Sequence, residues 1–448
     1  MDGERPAAAA TQVAEIHPPG VSWGGFRLAS HFQPIYSLPH SRLVGHEALL
    51  RAQRPDGSRL APQEVFAACR DETSLSDCDR LCRLTQLAAY ARQRDPAAAR
   101  PDPEWLFLNV HPLAFQRFDE PGGERELAML LTSHALPRHA IVLEILEAET
   151  ADPARLTASI SVARAAGMLI AIDDFGAGHS NFDRVWRMRP DIVKIDRSLV
   201  ALAATQRSAR RILAQMVSLL HECGCLVVIE GVETADEALV AIDCDAEMVQ
   251  GYLFGRPQPG LLPQRNAPDV LIRLPGAVAA LRAEHHRQAS SHLHPFRSAM
   301  IAMASRLAMN STTQPATHDS RSPVDEGSNP LPARFEAICR EFLDIPDAEA
   351  CFLLDADGRQ ISAMVQNPAE PDALDRLEQP MSTSEGGCWA QRPYFQQAVA
   401  SPGKPHVSRP YRTVNTSYLV ATVSMAFTAL VDGVPRLLVA CGDFRWQE

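Results

Sequence analysis

No apolar run in this chain is long enough to span a bilayer: the longest, near Leu419 to Val431, is broken by Thr and Ser. A crossing helix needs roughly 18–20 such residues. Positive charge is short as well, with 43 Lys and Arg against 54 Asp and Glu, a formal charge of -11 and a pI near 5.8. That balance excludes the basic stripe that grips long nucleic acid, although a small anion could bind where metal supplies the positive charge. The opening segment MDGERPAAAATQVAEIHPPG lacks the apolar stretch of a signal peptide, so residues 1–24 read as a mobile tail and the protein as cytoplasmic. Zinc-ribbon spacing is missing among the ten cysteines. Cys78 and Cys82 stand one helical turn apart, and Cys223 and Cys225 enter a strand, a pattern of reduced, buried thiols.

What is present is a chain of 448 residues, 46% hydrophobic, with length for two or three domains and material for more than one core. From Phe26 to about Pro259, β-rich runs alternate with helix-patterned segments. The strand candidates are RLASHFQPIY, RLVGHEALL, WLFLNV, AIVLEI, MLIAID, DIVKID, CLVVIE and EMVQGY. Between them, stretches such as DPARLTASISVARAAG close on Gly, as helix C-termini do. This order predicts an α/β chain with a TIM-like (β/α)8 barrel over residues 25–265. A helical then flexible linker follows over 266–330, in which Pro275 and Pro295 are expected to interrupt or begin helices. Residues 331–448 read as a smaller α+β domain, with RFEAICREFL as a helix and ACFLLDADGRQISAMV as a hairpin.

The strands share one property: polar residues terminate them. Glu47 follows LVGH, Asn109 ends WLFL, Glu144 ends AIVL and Asp173 with Asp174 end MLIAI. Lys194 and Asp196 sit in DIVKID, Glu230 ends CLVVI and Gln250 ends EMV. A barrel gathers its strand ends at one mouth, so these groups meet although two hundred residues separate them. Any one of these carboxylates could be a helix N-cap. Together, without a cation, they would repel and their pKa values would rise. Oxygen ligands with no His or Cys select a hard ion, Mg2+ or Mn2+. Two such ions about 3.5–4 Å apart would bind a phosphodiester and acidify a water, with Asp173 the natural bridge and Lys194 stabilising the nucleophile or the developing charge.

These residues carry a resemblance. Residues ~25–260 resemble the EAL domain, a cyclic di-GMP phosphodiesterase of β/α-barrel fold, through QPI at Gln33, EALLR from Glu47 to Arg51, LNV at Asn109, EILE from Glu144, DDFGAG from Asp173, KID from Lys194, EGVET from Glu230, and QGY with GRP from Gln250 to Pro257. The resemblance implies that Glu47, Asn109, Glu144 and Asp173 hold one metal and Asp173, Asp174 and Glu230 a second. It makes Glu47, Lys194, Glu230 and Gln250 the catalytic set, with Lys194 and Gln250 orienting the attacking water. Arg51 would contact a substrate phosphate, Gln33 and Leu49 would line the nucleotide groove, and Asp196 and Glu233 would support the site. Glu147 would anchor the DDFGAG loop, which in this family couples metal binding to dimerisation, so a homodimer is expected. The chain departs from the family at Leu146, His179, Asn181 and Ile229, none of them a metal ligand.

The implied activity is hydrolysis of cyclic di-GMP to linear pGpG. The C-terminal domain is expected to regulate it; the alternatives are a catalytically weak or inactive cyclic di-GMP receptor signalling through that domain, and a barrel metallohydrolase of another phosphodiester. The segment from Trp389 to Phe427 is similar to PAS-like and Cache folds of sensors. By that resemblance Trp389, Arg392, Tyr394 and Tyr411 could line a pocket for an unknown small molecule, or else fill a core in a domain that only pairs subunits.

Overall fold

The computed structural model describes residues 21–94, 104–120, 132, 136–146, 152–178, 182–262, 268–309, 331–367, 385–412, 419–431 and 433–446. Contacts divide the chain into two units, Met1–Leu281 and Arg282–Glu448.

The first unit is a closed barrel. Strands β1 (Val21–Trp23), β2 (Phe26–Ser37), β3 (Arg42–Gln53), β4 (Arg59–Leu60), β5 (Trp105–Val110), β6 (Ile141–Leu146), β7 (Leu169–Phe175), β8 (Ile192–Ile195), β9 (Leu226–Ile229) and β10 (Met248–Gln250) form one sheet. Its ring runs β2-β10-β9-β8-β7-β6-β5-β3 and returns to β2. Seven of these eight strands are mutually parallel, whereas β2 runs antiparallel to both of its neighbours, β3 and β10. The reason is local: a four-residue turn at Leu38–Ser41, closed by Ser41 N donating to Leu38 O, is too short for a parallel crossover.

Between the parallel strands the helices start and stop on their own chemistry. In Pro153–Ala165, the Asp152 carboxylate accepts from the Ala154 and Arg155 amides and Pro153 takes the first turn. Gly167, at φ 88°, then turns the chain back into β7. Leu156, Ile160 and Ala163 of that helix pack into the main core with Ile170 and Ile172 of β7.

The second unit is a six-stranded antiparallel sheet of β11 (Ala348–Leu354), β12 (Val365–Gln366), β13 (His406–Val407), β14 (Tyr411–Arg412), β15 (Leu419–Val431) and β16 (Val434–Arg445). One face carries helix Leu331–Leu343 and the Phe296, Met300 and Met303 side chains against Ala440 and Phe444. The other carries helix Pro393–Ala400, with Tyr394 and Phe395 against Phe352 and Cys441. The expected hairpin is present, Cys351 pairing with Val365.

The two prolines behave differently from expectation. A single helix, Asp269–Met309, runs through both Pro275 and Pro295. Each removes one backbone donor, at a cost of about 3 kcal/mol. Leu271 and Leu274, before Pro275, are buried in the core of the first unit, and Phe296, Met300 and Leu307, after Pro295, in the core of the second. All ten cysteines are free, and no helix among the described residues is long and apolar enough to cross a membrane.

Candidate metal centre

The barrel interior is built in layers. Ile35, Phe107, Val142, Ala171, Ile192, Val228 and Met248, one from each of seven strands, form an apolar floor. Side chains two positions apart on a strand share a face. Each floor residue is therefore followed, one layer nearer the mouth, by a polar one: Asn109, Glu144, Asp173, Lys194, Glu230 and Gln250. On antiparallel β2 the same layer is reached two residues earlier, at Gln33, which pairs across the sheet with Glu47.

Asp174 is the exception, since an adjacent residue should face outward. A register shift between Ile172 and Phe175 and a left-handed backbone at Asp174, φ 54°, turn it back toward the mouth. Consecutive carboxylates thereby serve one cluster. Ligand atoms of Glu47, Glu144 and Asp173 lie within 4.8 Å of one another, as do those of Asp173, Asp174 and Glu230, so Asp173 belongs to both groups.

At the centre is Lys194, 1% exposed. Its Nζ lies 2.5 Å from Glu230 Oε1, 2.6 Å from Glu144 Oε1, 3.1 Å from Asp173 Oδ1 and 3.4 Å from Glu47 Oε2. The chain has only two lysines among its 43 basic residues; one of them is here, where a compact point charge fits among several acids better than a planar guanidinium. Glu47 is further fixed by Asn109 Nδ2 at 2.9 Å and Gln250 Nε2 at 2.7 Å. Gln250 Nε2 also donates to Gln33 Oε1 at 3.2 Å, and Gln33 donates to Gly255 O.

One ammonium does not balance five carboxylates. Burial, then the charges of Glu47 and its neighbours, push the Glu144 carboxyl well above its usual range. Glu230 and Asp173 are raised for the same reason. Burial and the adjacent Asp173 carry Asp174 up to about 6. Glu47 alone is lowered, because Lys194 and the Gln250 and Asn109 amides outweigh its burial. Lys194 is raised well above its usual value: burial opposes the charge, but the surrounding acids prevail. Glu144 Oε2 and Gln250 Oε1 are buried without a hydrogen-bond donor among the described residues. Acids held in excess, oxygen-only donors and an orphaned carboxylate oxygen fit hard divalent cations.

Glu47 does not end its strand, as its place in the sequence implied. β3 continues to Gln53, but its pairing with β5 covers only Gly45 to Ala48, so Glu47 sits where the barrel part of β3 stops. Leu49 and Arg51 follow on the same face, both half-buried, with Arg51 donating to Leu50 O at 2.8 Å. Asp196 caps helix Arg197–Thr205 by accepting from Ser198 N, and Glu233 makes a two-pronged ion pair with Arg197 at 2.8 Å. Glu147, His179 and Asn181 lie outside the described residues.

In the second unit the four aromatic and basic residues do converge. Arg392 stands over the rings of Trp389 and Tyr411, at 6.0 and 5.4 Å, and the Tyr394 and Tyr411 rings stack at 6.2 Å. Sequence reasoning missed their partners. Tyr411 OH meets Thr422 Oγ1 at 2.5 Å, and Thr422 donates to the buried Asp443 at 2.6 Å. Burial pushes Asp443 up to about 7. An Asp on the face of an otherwise apolar strand, RLLVACGDF, was the available signal.

Comparison with known proteins places this geometry. The chain is 31% identical over 235 residues to the cyclic di-GMP phosphodiesterase RocR of Pseudomonas aeruginosa, covering 51% of this chain and 57% of that protein. It is 29% identical to the probable cyclic di-GMP phosphodiesterase PdeN of Escherichia coli, over 51% of this chain and 43% of that one. The matched region thus spans about half the length of these curated relatives. The crystal structure of the Bacillus subtilis YkuI protein, with an EAL domain, in complex with substrate c-di-GMP and calcium, superposes with a TM-score of 0.73 over 94% of this chain and 97% of that one. At 20% identity, that likeness speaks for the fold. The EAL domain pattern itself matches residues 25–257, more than half of the chain, and with the acid cluster at the barrel mouth it shows that the chain belongs to the EAL domain family.

Proposed function

We propose that this chain hydrolyses cyclic di-GMP to linear pGpG with two divalent cations, Mg2+ or Mn2+. One observation carries the reading: five carboxylates from four strands gather at the barrel mouth, four of them against a single buried ammonium, with a carboxylate oxygen left over. The names of the relatives supply the substrate.

Glu47, Asn109, Glu144 and Asp173 would hold one cation, and Asp173, Asp174 and Glu230 the other. When bound, such ions supply Lewis-acid polarisation of the phosphodiester and a water acidified toward neutral pH. Lys194 presents its ammonium to the same point and stabilises charge developing on the phosphoryl oxygens. Gln250 has its amide nitrogen fixed by Glu47 and Gln33, which leaves Oε1 to accept from the attacking water and aim it. Water adds to phosphorus, one P–O3′ bond breaks, and the proton passes to the leaving oxygen. Arg51 binds a phosphate of the substrate, while Gln33 and Leu49 line the groove.

The domain limits 25–265, 266–330 and 331–448, a homodimer, a cytoplasmic location and modulation by a small molecule at the Arg392–Tyr394–Tyr411 cluster belong to the same proposal. The test is incubation of purified protein with cyclic di-GMP and Mg2+ or Mn2+, following pGpG by chromatography. Metal-dependent pGpG supports the reading; tight binding without product across metals and pH would make the chain a receptor.

A further inference from the structure

Beyond the rim of the barrel the β2–β3 hairpin continues alone. β3 leaves β5 after Ala48, yet stays paired to β2 through Gln53 and gains β4 on its other edge. Residues directly opposite one another share a face, as do residues two apart. His31 is opposite Leu49, Ala29 opposite Arg51, and Arg59 opposite Gln53. Gln33, His31, Glu47, Leu49, Arg51 and Arg59 therefore lie on one continuous surface that leads outward from the acid cluster.

Charge changes sign along that surface. It is acidic up to Glu47 and cationic beyond it, in a chain of net charge -11. Among the described residues neither Arg51 nor Arg59 makes an ion pair with a carboxylate. His31 is held by the Pro257 carbonyl. Burial, followed by Arg51 and more weakly Arg59, drives its pKa down. Arg51 is lowered by burial, with Tyr252 and Glu47 pulling it the other way and Arg59 lowering it more weakly. Glu47 faces Arg51 from the acidic end of the surface, but neither Arg51 nor Arg59 has a carboxylate in an ion pair among the described residues, and the two guanidinium charges oppose each other; an incoming anion would relieve that repulsion.

We propose that His31 and Arg59 join Arg51 in an anion-binding shelf for the substrate phosphate farther from the acid cluster, so that the site selects dinucleotides over ligands with a single phosphate. The proposal rests on the hydrolase reading above. At about 3.4 Å per residue, the His31–Leu49 pair lies roughly 7 Å and Arg51 roughly 14 Å beyond Glu47 along the ribbon. A diester with one phosphate, seated at the acids, leaves the shelf empty. A second phosphate reaches it, and the long arginine side chains close the remaining gap with charge-assisted hydrogen bonds. Leu49 between the two ends offers apolar contact to a base or ribose.

The test compares kcat/KM with Mn2+ for cyclic di-GMP and for bis(4-nitrophenyl) phosphate, in wild type, His31→Gln, Arg59→Gln and Arg59→Lys. Each Gln variant is expected to lower the ratio of the two kcat/KM values roughly tenfold, mainly through KM for cyclic di-GMP, the loss expected for one charge-assisted contact. Arg59→Lys should restore part of it. Unchanged ratios in both Gln variants, or equal losses on both substrates, would overturn the shelf while leaving the hydrolase reading intact. Wild type that neither binds nor cleaves cyclic di-GMP would overturn both.

Discussion

The ammonium of Lys194 lies 2.6 Å from Glu144 Oε1, and both side chains are shut off from bulk water. Three further carboxylates, those of Glu47, Asp173 and Glu230, face the same nitrogen. The ammonium is thus the internal counter-charge of a cluster that is otherwise all acid, and the barrel's polar layer folds around it.

Lys194→Met should therefore cost stability as well as turnover. Removing one partner of a buried ion pair is expected to destabilise by about 3–5 kcal/mol. The melting temperature in EDTA should fall steeply, and Mn2+ should recover much of the loss by screening the acids, while turnover stays at least about a hundredfold down. An EDTA melting curve matching wild type would show that the ammonium is not the cluster's counter-charge.

The shared position of Asp173 predicts a difference in stoichiometry. Titration calorimetry with Mn2+ should find two sites in wild type, one in Glu144→Gln and Glu230→Gln, and neither at comparable affinity in Asp173→Asn. Two intact sites in Asp173→Asn would reject the assignment of that carboxylate to both groups.

Close packing behind the site can be tested at Gly251. A Cβ there would lie 2.0 Å from Val232 O and 2.3 Å from Val232 N. The Val232 amide donates to Gln250 O, so the backbone cannot yield without moving Gln250. Gly251→Ala should lower stability by about 1–3 kcal/mol and reduce kcat more than it raises KM. Denaturant melts together with steady-state kinetics would check both.

In the C-terminal unit, Asp443 makes stability depend on pH. Its carboxyl is pushed by burial from the ordinary 3.8 to about 7, with Thr422 pulling slightly the other way. Between those values the native state keeps a proton that the unfolded chain has lost. The contribution is therefore complete below about pH 4 and lost as pH rises through about 7. Urea denaturation of the full chain at pH 5.5 and pH 8 should show the higher stability at pH 5.5, and Asp443→Asn should narrow that difference. An unchanged difference would move its origin elsewhere.

Much of the barrel was legible because its information is local. Alternating β-rich and amphipathic runs closing on Gly mark βα units wherever they occur, and the polar residue near each strand end stands out against an apolar run. The direction of β2 was not legible, since a strand reads alike whichever way it pairs; the short turn at Leu38–Ser41 decided it. Pro275 and Pro295 misled for a related reason. The local rule against helical proline is sound, but buried contacts made by Leu271, Leu274, Phe296 and Met300 outweigh it. Asp443 and Arg59 escaped notice because neither lies in a recognisable motif, and each acquires meaning only from what stands opposite it across a sheet.

By itself the sequence settled which residue types recur at which intervals, and with them the α/β class, the acid series and the family. Tertiary structure alone decided that Asp174 turns inward beside Asp173, that one lysine serves four acids, and that the hairpin beyond Glu47 changes sign. Periodicity is a property of neighbours along the chain. Charge balance and burial are properties of neighbours in space, and in a closed barrel those come from strands far apart in sequence.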